Sequence, residues 1–169
     1  MSDEYLDVVD AEDEVIGLER RSRIHKLKKR HRAVHIFIFN AKKEMFLQKR
    51  SAIKDTSPNL WNSSVSGHVD TGEEYEVAAI REIKEEVGIQ EELELKPLLK
   101  IHARTETEHE FVWLYRCDYD GEMVLDEEEV AEGKWLMVED IDDWIRKTPE
   151  QFSRPFRFIW SQLRLEGKI

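Results

Sequence analysis

One cysteine, Cys117, stands in 169 residues, so no intrachain disulfide can form. That scarcity fits a reducing compartment and predicts a cytoplasmic setting. No stretch approaches the roughly 18 consecutive apolar residues of a membrane span. The opening segment Met1–Asp10 is acidic and poor in apolar residues, which argues against a signal peptide. Positive charge is in deficit: 26 Lys and Arg face 37 Asp and Glu, a formal net charge of −11. Such a surface repels a phosphate backbone and argues against nucleic acid as the main partner. Internal repeats, low-complexity tracts and linkers are also missing.

What is present suits one domain over 1–169, with an apolar core inside a charged surface. Tyr5–Val9 and Val15–Leu18 flank Asp10–Glu14 and predict a hairpin. Arg20–Arg32 is basic, with seven Arg or Lys between Arg20 and Arg30. It reads as a basic helix or loop, or as a phosphate-facing edge. Val34–Phe39 predicts a buried strand, Asn40–Lys43 a turn and Met45–Lys49 a second strand. Trp61–Ser66 is an irregular strand. Leu93–Ile101, Glu110–Tyr119 and Lys134–Val138 read as strands, with Gly121 at a turn. Glu139–Lys147 and Gln151–Leu165 read as helices. The mixture predicts an α/β sandwich on a mixed sheet.

The stretch from Gly67 to Ile89 carries the chemistry. Thr71 with Glu74 predicts a capping box, and Gly88 suits the C-terminal stop. On a helical wheel Val77, Ile80, Ile83 and Val87 share one face, expected to pack on the sheet. Glu82, Glu85 and Glu86 fall opposite. Three like charges on adjacent turns cost the helix a few tenths of a kcal/mol per pair, roughly, unless a hard divalent cation binds their oxygens. A solvated acidic face is the bland explanation of a glutamate run. Against it stand Arg81, within reach of Glu85 and Glu73, and the glycines Gly67 and Gly72.

Gly67, Glu73, Arg81, Glu82, Ile83, Glu85, Glu86, Gly88 and Ile89 occupy nine defined positions at fixed spacing. The segment resembles the Nudix box at every one of them. The resemblance implies a Nudix α/β/α sandwich with a mixed β-sheet, Mg²⁺ or Mn²⁺ as cofactor, and a small-molecule diphosphate as substrate. It implies Glu82, Glu85 and Glu86 as metal ligands, the Gly67 carbonyl beside them, and a Glu73–Arg81 pair shaping the loop. The catalytic set is then Glu82, Glu85 and Glu129. Glu85 is the first candidate for general base. Glu129, in the acidic run Asp126–Glu129, is the looser one, and that run also reads as a solvated loop.

Asn59 to His68 is similar to the segment before the box in type 1 isopentenyl-diphosphate isomerases, which share this fold. The resemblance implies a second site for a divalent transition metal from His25, His31, His68, Glu108 and Glu110, and diphosphate contacts from Arg50 and Lys54. Ser66 stands where those isomerases carry a catalytic cysteine, and a serine hydroxyl is a far weaker acid. Arg81-Glu82 replaces their Arg-Arg, Glu85 restores the hydrolase pair, and Phe156 replaces a tryptophan. This combination resembles the bacterial Nudix hydrolases related to the isomerase. Trp61, Trp113 and Phe156 lie near the expected pocket, either to stack on a base or to fill the core. The expectation is hydrolysis of a diphosphate linkage in a nucleoside di- or triphosphate or related compound, by a monomer or homodimer. The alternatives are isomerisation of a small prenyl diphosphate, and ligand binding without turnover.

Overall fold

The computed structural model describes residues 3–169; Met1 and Ser2, the start of the acidic opening segment, lie outside the described residues. The predicted hairpin is β1 (Tyr5–Val9) paired antiparallel with β2 (Val15–Arg20). The basic stretch divides into a short helix, α1 (Arg21–Leu27), and the start of β3 (His31–Phe39). Then come β4 (Met45–Arg50), β5 (Trp61–Asn62), β6 (Val65–His68), α2 (Tyr75–Val87), β7 (Lys96–Ile101), β8 (Glu110–Asp118), β9 (Val130–Leu136), α3 (Val138–Lys147) and α4 (Arg154–Leu165).

The main sheet runs β5-β4-β3-β8-β7, with β6 also on β3 and β9 on β4. Only β3 and β8 are parallel, so the sheet is mixed. β3 is apolar nearly throughout because both of its faces are covered. Ala33, Phe37 and Phe39 share one core cluster with Ile141, Phe156, Ile159 and Leu163 from α3 and α4. Val34, Ile36 and Ile38 share the other with Ala78, Ala79, Ile83 and Val87 from α2. The result is the expected α/β/α sandwich with an N-terminal hairpin.

Five local expectations are corrected. Helix α2 starts after Glu74, whose side chain makes no capping bond, and the Thr71 hydroxyl instead donates to the Tyr5 carbonyl. Its buried face is Ala78, Ala79, Glu82, Ile83, Glu86 and Val87, while Val77 is 55% and Ile80 39% exposed. The wheel selected the most apolar stripe. The helix instead turns its two small alanines and two of its glutamates inward. β7 begins at Lys96, and β9 reaches back to Val130 through pairing with Arg50 across a bulge. α4 begins at Arg154, where the Ser153 hydroxyl accepts the Phe156 N–H and Pro155 occupies the first turn. Gly88 ends α2 at φ 68°, as expected of a left-handed stop.

Candidate functional site

A cleft of about 420 Å³ opens at the end of the sheet where β6 meets α2. Successive strand residues face opposite ways, so Gly67 turns toward α2 and His68 toward β3 and α1. Two groups of side chains form on either side of this strand.

The first group is the glutamate cluster. Glu82 and Glu86 are only 9% and 5% exposed. One Glu86 oxygen accepts the Gln48 amide at 2.7 Å and the Ser66 N–H at 3.2 Å. Glu82 accepts from Arg81 at 2.7 Å. A Cβ on Gly67 would lie 2.2 Å from the Glu82 carboxyl carbon, so a larger residue there would have to push that carboxylate aside. Burial, then the charge of Glu86, raises the Glu82 carboxyl well above the usual range. Burial also raises Glu86, opposed by the Gln48 amide and the Ser66 N–H. Glu85 lies on the exposed rim, 3.2 Å from Arg81. The Arg81 Nε and Nη2 donate to the two Glu73 oxygens, each at 2.9 Å, and Nη2 also reaches the His68 carbonyl at 3.0 Å. The Glu73–Arg81 contact expected of the loop is therefore present. Two desolvated carboxylates, a third at the rim and an uncrowded backbone at Gly67 form an all-oxygen donor set, and it fits a hard divalent cation.

The second group is a histidine centre. The sheet register sets His31 directly beside Glu110, and His68 opposite Ala33 two residues on. α1 adds His25. One nitrogen from each histidine lies within 4.8 Å of the others. Glu110 Oε1 stands 3.7 Å from His31 Nε2 and 3.6 Å from His68 Nε2. His31 Nδ1 contacts the Lys29 carbonyl at 2.9 Å, which only accepts, so this nitrogen carries the proton. The Nε2 atoms of His25 and His31 are buried without a hydrogen-bond partner. Orphaned nitrogens beside a carboxylate are costly, and this donor set fits a borderline divalent ion. Burial, then the charges of His68 and His31, holds the His25 ring down at about 4. For His68 burial acts downward as well, but contacts with Glu110 and Glu4 outweigh it and lift the ring to about 9. Burial alone would raise Glu110; the His31 and His68 contacts hold it well below the usual range. Glu108 lines the same cleft, and burial followed by the Glu110 charge raises its carboxyl.

Arg50 and Lys54 also line the cleft. Arg50 donates to the Thr56 carbonyl and hydroxyl at 2.9 and 3.0 Å, and Lys54 pairs with Glu129. The aromatic expectations are corrected. Trp61 is buried edge-on against Trp144, and Phe156 is fully buried between Phe152 and Trp160. Neither lines the cleft, because capping by Ser153 aims Phe156 into the core. Trp113 packs near Tyr115 on the α2 side of the sheet. Sequence reasoning missed Gln48, Glu4, Arg21 and His35, all polar. A glutamine directly after the apolar run Met45–Leu47 was the one available signal; Glu4 gave none.

The NUDIX domain model matches residues 29–156. The chain belongs to the Nudix family. It is similar to a protein named isopentenyl-diphosphate delta-isomerase from Serratia proteamaculans, 34% identical over 164 residues, which are 95% of this chain and 92% of that one. It is also similar to a protein named Nudix hydrolase from Deinococcus radiodurans, 32% identical over 140 residues, 82% of each. Among solved structures, DR0079 from Deinococcus radiodurans aligns with a TM-score of 0.77 at 30% identity, covering 85% of this chain and 90% of that one. Family and relatives make the chain a Nudix enzyme of the class acting on pyrophosphate bonds. Enzymes of this family generally use divalent metals such as Mg²⁺ or Mn²⁺. His25 and the hairpin precede the matched residues, so part of the histidine centre comes from outside the family's shared core. No helix among the described residues is long and apolar enough to cross a membrane.

Proposed function

We propose that this Nudix enzyme is a Mg²⁺-dependent hydrolase that cleaves a diphosphate linkage in a nucleoside di- or triphosphate or a related nucleoside-diphosphate-linked compound. The observation that carries this reading is the pair of buried carboxylates, Glu82 and Glu86, set against Gly67 with Glu85 at the rim. Glu82, Glu85, Glu86 and the Gly67 carbonyl would hold the ion. When bound, a divalent ion neutralises phosphate oxygens and makes water a better nucleophile at neutral pH. A carboxylate of the chain takes the proton as water oxygen bonds to phosphorus and the bridging P–O bond breaks. Glu85 is favoured over Glu129 for that role. Lys54 already occupies Glu129 in a part-buried ion pair, which ties up its carboxylate. Glu85 shares Arg81 with Glu73 and Glu82, and both of those sit closer to the guanidinium. Arg50 and Lys54 stand across the cleft as cations for the diphosphate. His25, His31, His68 and Glu110 would hold a second, transition-metal ion.

The test is a turnover screen of nucleotide, sugar-nucleotide and prenyl diphosphates with Mg²⁺ and Mn²⁺. Monophosphate release by the wild type, lost in Glu85→Gln, is expected. No release from any substrate, or identical behaviour of the variant, sinks the reading.

A second reading, isomerisation of a prenyl diphosphate, draws on the converging histidines and the similarity to proteins named for that reaction. Ser66 opposes it: its hydroxyl oxygen accepts the Asn62 amide at 3.0 Å where a thiol would be needed. Deuterium uptake into isopentenyl diphosphate in heavy water, followed by mass, would favour it.

A further inference from the structure

The histidine centre has a neighbour in the residue that leads into β1. Glu4 Oε1 lies 3.5 Å from His68 Nδ1, the ring nitrogen opposite the one facing Glu110. An imidazole that binds an ion through one nitrogen usually gives its other N–H to a carboxylate or carbonyl, which fixes tautomer and orientation. His31 already has such a partner in the Lys29 carbonyl. Glu4 stands in the corresponding place for His68, and a shift of about 0.5 Å brings it to ordinary hydrogen-bond length.

The backbone holds Glu4 there. Its carbonyl accepts the Arg21 N–H at 2.8 Å, and the Asp3 carboxylate accepts the Ser22 N–H and hydroxyl at 3.0 and 2.6 Å, both from α1. On the other side, the Tyr5 carbonyl accepts from Thr71 at 3.2 Å and the Asp7 carboxylate accepts the Gly72 N–H at 3.1 Å. β1 and the two residues before it thus bridge the helix carrying His25 and the loop that follows His68. Glu4 also pairs with the Arg21 Nε, which has no hydrogen-bond partner of its own, so Glu4 stands between Arg21 and His68. The Arg21 fork is engaged by Asp55 at 2.7 and 2.8 Å, and its Nε is 3.6 Å from Glu4.

We infer that Glu4 is a positioning residue of the histidine centre: its carboxylate accepts a hydrogen bond from the Nδ1–H of His68, aims Nε2 at the ion and ties the segment leading into β1 to the site. This rests on the reading of the three histidines as an ion centre. The strand is then more firmly docked when the centre is loaded.

The test titrates Co²⁺ into the full chain after chelation, by calorimetry and visible absorption, and follows hydrogen exchange in β1. Glu4→Ala should weaken Co²⁺ binding on the order of 10–100-fold and abolish the ion-dependent rise in β1 protection. Glu4→Gln, which keeps an acceptor oxygen, should recover part of the affinity; a purely structural or charge effect would leave it equal to Glu4→Ala. Circular dichroism confirms that each variant is folded. If the wild type takes up no Co²⁺, the ion-centre reading falls and this inference with it. If the wild type binds and Glu4→Ala titrates identically, this inference alone falls.

Discussion

At one side of β6, Glu82, Glu85 and Glu86 crowd like charges, and Gln48, the Ser66 N–H and Arg81 restrain them. At the other, His25, His31, His68 and Glu110 combine nitrogen donors with a single carboxylate and balance much of their own charge. The two groups share one cleft yet differ in donor hardness. An oxygen cluster suits Mg²⁺, which seeks carboxylates and keeps its waters; imidazoles suit borderline ions. On the proposed reading, the reaction chemistry belongs to the glutamates and a holding role to the histidines.

The sharpest way to break that contrast is to remove one member from each side. Glu85→Gln should lower kcat on the order of 10²–10⁴-fold with the fold intact, and Glu129→Gln should cost clearly less; steady-state kinetics on the best substrate of the screen decides. His31→Ala should weaken Co²⁺ binding on the order of 10–100-fold or more, while Mg²⁺-supported hydrolysis falls less than in Glu85→Gln. Equal losses of hydrolysis would mean that the two sides act as one site. Gly67→Ala forces the Glu82 carboxylate aside and should destabilise the protein by about 1–3 kcal/mol, with a higher Mg²⁺ requirement, read by denaturant melts and metal titration of activity.

The smallest effect is a control outside both groups. Asp13, at the hairpin tip, accepts from Arg32, Lys100 and Tyr75 at 2.7, 2.7 and 2.8 Å. Burial alone would raise its carboxyl, but those contacts hold it below its ordinary 3.8. Its contribution is therefore present above pH 3.8 and lost as pH falls below that value. Asp13→Asn should remove about 1.5 kcal/mol near neutrality and flatten that acid segment of the stability profile, with Glu85-dependent turnover unchanged.

Much of this was legible beforehand. The apolar stretch Val34–Phe39, interrupted only by His35, announced a buried strand, and the spacing from Gly67 to Ile89 announced the glutamates. The facing of α2 was not legible. A wheel ranks residues by hydrophobicity, whereas this helix buries Glu82 and Glu86, with Gln48 and the Ser66 N–H satisfying Glu86, and Ala78 and Ala79 let it approach β6. The aromatics misled for a different reason: Trp61 packs on Trp144, and Phe156 on Phe152 and Trp160, so both are committed to the core. His25, His31 and His68 converge only through strand register and the placement of α1. Nothing in the sequence around Glu4 marks it as a neighbour of His68.

The strand β6 has one more consequence, in the arithmetic of chain length. Gly67 and His68 serve different groups only because adjacent strand residues point apart. Insertion or loss of one residue between Val65 and Gly67 would send the imidazole toward α2 and withdraw the glycine from Glu82. Both groups would fail together. A two-residue change preserves the parity, so tolerance to length variation here should alternate between odd and even.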